Sequence, residues 1–76
     1  MKLKQIGSNM TQLDLGYVQV FFSYETPVAA RTDTGALLRT STKYSVTTTK
    51  HINKWLQGMP AVEVPQAVIS NLVEVA

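Results

Sequence analysis

Polar and apolar residues alternate along the first half of the chain, most clearly between residues 12 and 24. A period of two places successive side chains on opposite faces of an extended strand. The pattern predicts a half-buried strand over residues 17–24, with an inner face toward the core and an outer face toward water. The predicted inner face holds Val18, Val20, Phe22 and Tyr24, and the outer face holds Tyr17, Gln19, Phe21 and Ser23.

Turn-forming residues divide the rest of the first half into further strands. Residues 14–16 (Asp-Leu-Gly) can close a hairpin, and residues 33–35 (Asp-Thr-Gly) supply a second turn. Pro27 lacks the amide that a strand ladder needs, so the strand after it begins at residue 28 or lies at a sheet edge. The further predicted strands are residues 2–6, 10–14, 28–32 and 36–40, with a short last one at 44–47.

The period changes to that of a helix at residue 48. A threonine among residues 47–49 is predicted to cap the first turn through its hydroxyl. Gly58 can adopt the left-handed conformation that ends a helix, and Pro60 prevents continuation. One helical face, predicted to be buried, carries residues at i, i+3, i+4 and i+7, namely Ile52, Trp55, Leu56 and Met59.

A second helix is predicted after Pro65, a residue that suits the first helical position. Its apolar stripe is narrow, and its valines lower the helix propensity. Because strands precede helices, we expect an α+β domain: a small antiparallel, meander-like sheet of four to five strands, followed by one or two C-terminal helices on one face. Residues 1–76 are predicted to form a single domain.

The composition narrows the ways in which so short a chain can be stabilised. The 76 residues are 45% apolar and 16% charged, which is typical of a folded domain. With no cysteine and one histidine, neither disulfides nor a structural metal is expected to stabilise the fold. Contacts with partner subunits are the remaining means of stabilising so small a domain, so a homo-oligomer is predicted. The amino terminus lacks a secretory pattern and no segment has the length of a membrane span, which predicts a cytoplasmic protein without membrane contact.

The candidate chemistry is sparse. His51 is the only histidine, and a lone imidazole between Lys50 and Lys54 is most simply a solvated helix residue. The serines lie in no nucleophile motif, and the glycines lack the spacing of a nucleotide-binding loop. We therefore predict no catalytic residue, no metal ligand, no cofactor and no enzymatic activity, although a site assembled in space from distant residues stays open.

Charge is distributed unevenly along the chain. No acidic residue lies between Asp33 and Glu63. Lys50 and Lys54 share a helical face, and like charges at this spacing repel each other slightly. The net charge of +2 is small for a nucleic-acid binder, so this function is the alternative to the favoured one. The basic segment 39–54 contributes the candidate contacts, which are Arg39, Lys43, Lys50 and Lys54.

Two aromatic residues of the predicted outer strand face are candidates for a protein interface. Tyr17 and Phe21 would be exposed if the helices cover only the other face, and exposed apolar patches usually mark partner surfaces. The alternative is that another element of the same chain covers them. The favoured hypothesis is thus a non-enzymatic, oligomeric protein-interaction module.

Three phrases of the sequence resemble a known family. They are IGSNMTQL (6–13), VFFSYETPVAA (20–30) and KYSVTTTKHINKWL (43–56), and they cover about two thirds of the chain. They are similar to small proteins of tailed bacteriophages that are grouped only as a domain of unknown function. The resemblance implies a phage or prophage product acting in the bacterial cytoplasm on a phage or host protein, and it implies no site residues.

Overall fold

Six strands and two helices make up the fold of the computed structural model, which describes residues 2–74. The fold therefore belongs to the predicted α+β class, with six strands where four to five were expected. In chain order the elements are β1 (Lys2–Gly7), β2 (Met10–Asp14), β3 (Val18–Ser23), β4 (Thr26–Thr32), β5 (Leu37–Thr40), α1 (Val46–Leu56), β6 (Val62–Val64) and α2 (Gln66–Glu74).

The sheet is mixed, with the strands in sequence order from β1 to β6. Strands β1 to β5 form the predicted antiparallel meander. The sixth strand pairs parallel to β5, with Leu38 opposite Val62. A parallel neighbour needs a crossover, and α1 supplies it. Strand β6 was not predicted, because three residues between two prolines are too short to show a period.

The two helices cover opposite faces of the sheet. Phe21 packs in one buried cluster with α1 residues Trp55 and Leu56, whereas its neighbour Val20 packs in another with Ile69 of α2. Adjacent residues of a strand point to opposite faces, so the clusters lie on either side of the sheet. The prediction that both helices pack on one face is therefore wrong. We call the two sides the α1 face and the α2 face.

Helix α1 begins earlier than the sequence predicted. Ser45 is the N-cap, and its hydroxyl accepts a hydrogen bond from the amide of Thr48 at 3.1 Å. The predicted strand at 44–47 is wrong, because these residues form the cap and the first turn. Gln57 and Gly58 both adopt positive φ and end the helix, and Met59 beyond them is exposed rather than buried.

A β-bulge explains how β4 buries consecutive residues. Phe21 pairs with Ala29 and Phe22 with Pro27, so Val28 is an extra residue between them. Proline is tolerated at bulges because the ladder is already interrupted there. Val28, Ala29 and the following Ala30 are all fully buried, the first two on the α1 face and the last on the α2 face.

Candidate functional site

Trp55 anchors α1 to the sheet. Its ring stacks on Phe21, with the centroids 5.3 Å apart and the planes 12° apart. The indole nitrogen donates to Oε1 of Gln12 at 2.9 Å, and the Arg31 guanidinium lies 5.2 Å from the ring centroid. With 7% exposure the indole is a core residue, as predicted from the helical spacing. A stacked pair of this kind contributes about 0.5–1.5 kcal/mol beyond its buried area.

His51 belongs to a hydrogen-bonded chain that ties α1 to β3. Its Nδ1 lies 2.8 Å from Oγ of Ser23, and Ser23 donates to Oγ1 of Thr48 at 3.2 Å. The His51 ring is also 5.8 Å from that of Tyr24. The imidazole is thus half-buried and bonded, which corrects the view of it as a fully solvated residue. Ser23 is only 2% exposed, so its hydroxyl serves this connection rather than an attack on a substrate.

The two predicted interface aromatics have different environments. Tyr17 is about half exposed, as expected. Phe21 has 0% exposure, because α1 covers the face of the sheet to which it points. The prediction that Phe21 lies on an open outer face is wrong. The alternation along β3 correctly separated the residues that point to one face of the sheet from those that point to the other. It could not show that a helix covers each face.

All the lysines and arginines lie on the α1 face or on the elements that cover it. Cross-strand pairing puts Lys2, Asp14, Gln19 and Arg31 in one row, and Lys4, Gln12, Phe21, Ala29 and Arg39 in the next. Paired residues share a face, and Phe21 and Gln12 contact Trp55, so both rows face α1. We call this surface the basic face; it consists of Lys2, Lys4, Arg31, Arg39, Lys43, Lys50 and Lys54.

Two polar hollows flank α1 on the basic face. Arg39 and Lys43 line the first, between α1 and the β5–β6 side of the sheet, together with Glu63. Arg31 and Lys54 line the second, on the other side of α1. Lys50 is exposed on α1, opposite the helix residues that are buried. The four predicted basic residues therefore surround one helix without converging on one point.

Both arginines donate hydrogen bonds to uncharged amide side chains. Arg39 donates to Oδ1 of Asn53 at 3.2 Å, and Arg31 donates to Oε1 of Gln19 at 3.5 Å. Neither bond neutralises the guanidinium charge, so both remain able to attract anions. Sequence reasoning missed Lys2, Lys4 and Arg31 as members of this surface. The even spacing of Lys2 and Lys4 was visible, but only the strand register joins them to α1.

The opposite side of the β1 edge is apolar. Leu3 pairs with Leu13 and therefore lies on the α2 face, and its side chain is 71% exposed. It lines a shallow hollow with Phe22 and the half-exposed Tyr24, where Thr11 and Glu25 complete the wall. Strand β1 is exposed along almost its whole length. This hollow and the adjacent edge are a second candidate surface.

Residues 2–74 contain neither a cluster of metal-binding side chains nor a membrane-spanning helix. Histidine and carboxylate side chains there form no group of three that could hold a metal ion. Neither described helix has the length and hydrophobicity needed to cross a bilayer.

Comparison with known proteins gives a family and no chemistry. A family model described as a family of unknown function (DUF8033) matches residues 1–71. No curated protein matches the chain, and no solved structure does. The matched range includes both candidate surfaces, so the function has to be inferred from their geometry.

Proposed function

The chain belongs to DUF8033, a family of unknown function, and from that premise we propose that it is a non-enzymatic accessory protein that binds nucleic acid through its basic face. The observation that carries the proposal is the segregation of charge. Seven cations lie on or around the α1 face, with only Asp14 and Glu63 as carboxylates in the rows that face α1. A surface with an excess of positive charge attracts a polyanion even when the net charge of the protein is small.

The composition of α1 supports the same proposal. A helix is stabilised by acidic residues near its amino terminus, yet α1 has none in its first turn. It carries Lys50 and Lys54 four residues apart, a spacing at which like charges destabilise an isolated helix. Lys54 is compensated by its place in the last turn, near the negative end of the helix dipole. Lys50 has no such compensation, which points to a role outside folding.

Binding of a polynucleotide at low salt tests this function. Contacts with phosphates release counterions, so affinity should fall steeply as salt rises. Replacing Lys50 and Lys54 together with glutamine should weaken binding and make the salt slope shallower by about 1 for each lysine that contacts a phosphate. The matched control is Ala67→Glu with Asn71→Glu, which changes the net charge equally at two exposed positions of α2, on the other side of the sheet from the basic face.

Fluorescence anisotropy with labelled DNA and RNA over a range of NaCl concentrations would measure both quantities. Weakened binding of the lysine variant beside an unchanged control supports the basic face. Equal weakening of both variants would show that net charge alone matters, and absence of binding at about 20 mM salt, where charges are screened least, would exclude this function.

A second function, a homo-oligomeric protein-interaction module, is favoured by the hollow at the β1 edge. Leu3, Tyr24 and Phe22 present apolar surface beside an exposed strand, and a second copy of the chain offers the same edge and the same hollow. Light scattering after size-exclusion chromatography tests it. Leu3→Ser should shift a dimer to monomer, while Tyr17→Ser, outside this hollow, tests the predicted contact of Tyr17 separately.

A strict monomer at micromolar to millimolar concentration would contradict self-association. A phage or host protein would then be the remaining class of protein partner. Action in the bacterial cytoplasm, as a phage or prophage product, is proposed on the sequence resemblance alone. Fractionation of infected cells followed by immunoblotting tests that location.

A further inference from the structure

We infer that α1 is a recognition helix for the major groove of double-stranded DNA. This inference rests on the proposed nucleic-acid function and specifies its ligand. It concerns the shape of the basic face, which is a ridge on a sheet rather than a cleft. Helix α1 packs through Thr48, Ile52, Trp55 and Leu56, and the remainder of its circumference faces away from the sheet.

The dimensions of the ridge suit the groove. An α-helix with its side chains is about 10–12 Å wide, and the major groove of B-form DNA is about 12 Å wide and 8.5 Å deep. Helix α1 has 11 residues, about 16 Å of length at 1.5 Å per residue. Hollows on both sides of α1 separate it from the rest of the basic face, so the helix stands out as a ridge. A flat, evenly filled helical layer would not allow the same approach.

The side chains on the ridge are suited to reading base edges. Thr47, Lys50 and Asn53 are exposed on α1, and none of the exposed α1 residues is acidic. Lysine pairs with the acceptors of guanine, and asparagine pairs with adenine, in the major groove. Lys50 lies opposite the buried stripe and is the residue placed to enter the groove most deeply. Arg39 donates to Oδ1 of Asn53 and so orients the amide. The second lone pair of Oδ1 and the amide NH₂ group are left to pair with adenine.

The flanking cations are placed to hold the phosphates. Arg39 and Lys43 line the hollow on one side of the ridge, where two cations face the single carboxylate of Glu63, and Arg31 and Lys54 line the other hollow. Each strand of a duplex would therefore meet one cationic pair. Phosphate contacts fix the position of a helix in a groove, while base contacts give the specificity. Lys2 and Lys4 extend the charge along the β1 edge.

A single strand fits this surface less well. Proteins that bind single strands stack successive bases on exposed aromatic rings. On the basic face Trp55 and Phe21 are buried beneath α1. Tyr24 and Tyr44, each about half exposed, lie at separate places near the amino-terminal half of α1 and form no continuous platform. The observations therefore favour duplex over single-stranded ligands.

The first experiment compares ligands of one sequence. Wild-type protein is titrated into a 16-base-pair DNA duplex, the corresponding RNA duplex and the single DNA strand at 50 mM NaCl. A-form RNA has a deep, narrow major groove that a helix cannot enter, so we expect at least tenfold tighter binding to duplex DNA. Equal affinity for all three ligands overturns the inference but leaves the proposed function standing. Binding to none of them overturns both.

The second experiment asks which groove is used. Bulky substituents on pyrimidine C5 project into the major groove, where the thymine methyl lies, and should weaken binding at least tenfold. Unchanged affinity for the substituted duplex would overturn the inference.

The third experiment selects the DNA sequences that the protein binds from a pool of random duplexes. It compares a variant at Lys50, the proposed base contact, with a variant at two lysines expected to contact phosphates. Lys50→Gln should change or relax the selected sequence, whereas Lys2→Gln with Lys4→Gln should weaken binding to all sequences alike. A wild type that selects no sequence, or a Lys50 variant with an unchanged preference, would overturn base reading by α1. Circular dichroism of each variant verifies that the fold is retained.

Discussion

Single residues show how firmly α1 is fixed to the sheet. The indole of Trp55 is stacked on Phe21 and bonded to Gln12, while the hydroxyl of Ser23 reaches both Thr48 and His51. Buried polar groups that are fully bonded restrict a core to one arrangement. These contacts fix α1 at two places along its length, so its exposed lysines project from a rigid base.

Phe21→Ala should lower the free energy of unfolding by about 3–5 kcal/mol, because the change removes a fully buried ring and leaves a cavity. Urea denaturation followed by tryptophan fluorescence measures the loss directly, since Trp55 is the stacking partner. Tyr17→Ala, at an exposed position, is the control and should change stability by less than about 1 kcal/mol. A small effect at position 21 would contradict the stacked core.

The sequence pattern predicted the position of a residue correctly where that position depends only on its neighbours along the chain. Alternation located β3, and the spacing of Ile52, Trp55 and Leu56 identified the buried face of α1. The covering of Phe21 could not be predicted, because it depends on which face the crossover helix takes. The surface formed by Lys2, Lys4 and Arg31 with α1 depends on strand register, which one sequence does not reveal.

At the scale of elements, the capping of α1 explains the dense run of hydroxyl residues at its start. Ser45 caps the helix, Thr48 joins the buried chain, and Thr49 donates to the carbonyl of Ser45. Hydroxyl side chains compete for backbone groups and are therefore favoured at helix starts. The cap supplies the stability at the amino terminus that acidic residues would otherwise provide, and it leaves the exposed surface free of negative charge.

Lys50→Glu should stabilise the protein and weaken its binding to DNA. The substitution removes the repulsion between Lys50 and Lys54 and creates a favourable Glu–Lys pair at i and i+4. Each of the two effects is worth about 0.2–0.5 kcal/mol. Urea denaturation at low salt measures the gain, and the anisotropy titration measures the weakened binding. Lys54→Glu is the comparison, because it should weaken binding without stabilising a helix whose last turn favours a cation.

Loss of stability in the Lys50 variant would contradict the view that Lys50 is retained for a ligand. Unchanged affinity beside a gain in stability would assign the residue no role in binding at all.

At the scale of the whole molecule, the lysines and arginines lie on one side of the sheet, and the apolar hollow of the β1 edge lies on the other. The cations lie on the α1 face, and the exposed Leu3 lies with Phe22 on the α2 face. Two surfaces of different chemistry allow two contacts to be made at once. Self-association through the β1 edge about an axis perpendicular to the sheet would place two basic faces on the same side, which would increase avidity for a long duplex.

Salt should stabilise the free protein. Raising NaCl from 10 mM to 1 M shortens the screening length from about 30 Å to about 3 Å and reduces repulsion across the basic face. We expect several tenths of a kcal/mol of added stability, a size typical of exposed charge pairs. The variant with Lys50→Gln and Lys54→Gln should gain less over the same range in urea denaturation. Destabilisation of the wild type by salt would contradict net repulsion.

The position of α2 at the end of the element order has a consequence for biosynthesis. Strands β1 to β5 are neighbours both along the chain and in the sheet, so they can pair as each leaves the ribosome. Val20, Ala30 and Leu38 stay uncovered on the nascent sheet until the segment that holds Ile69 has left the ribosome and packed against them. A chain truncated after β6 would keep these apolar residues exposed, and we expect it to aggregate more readily than the full chain.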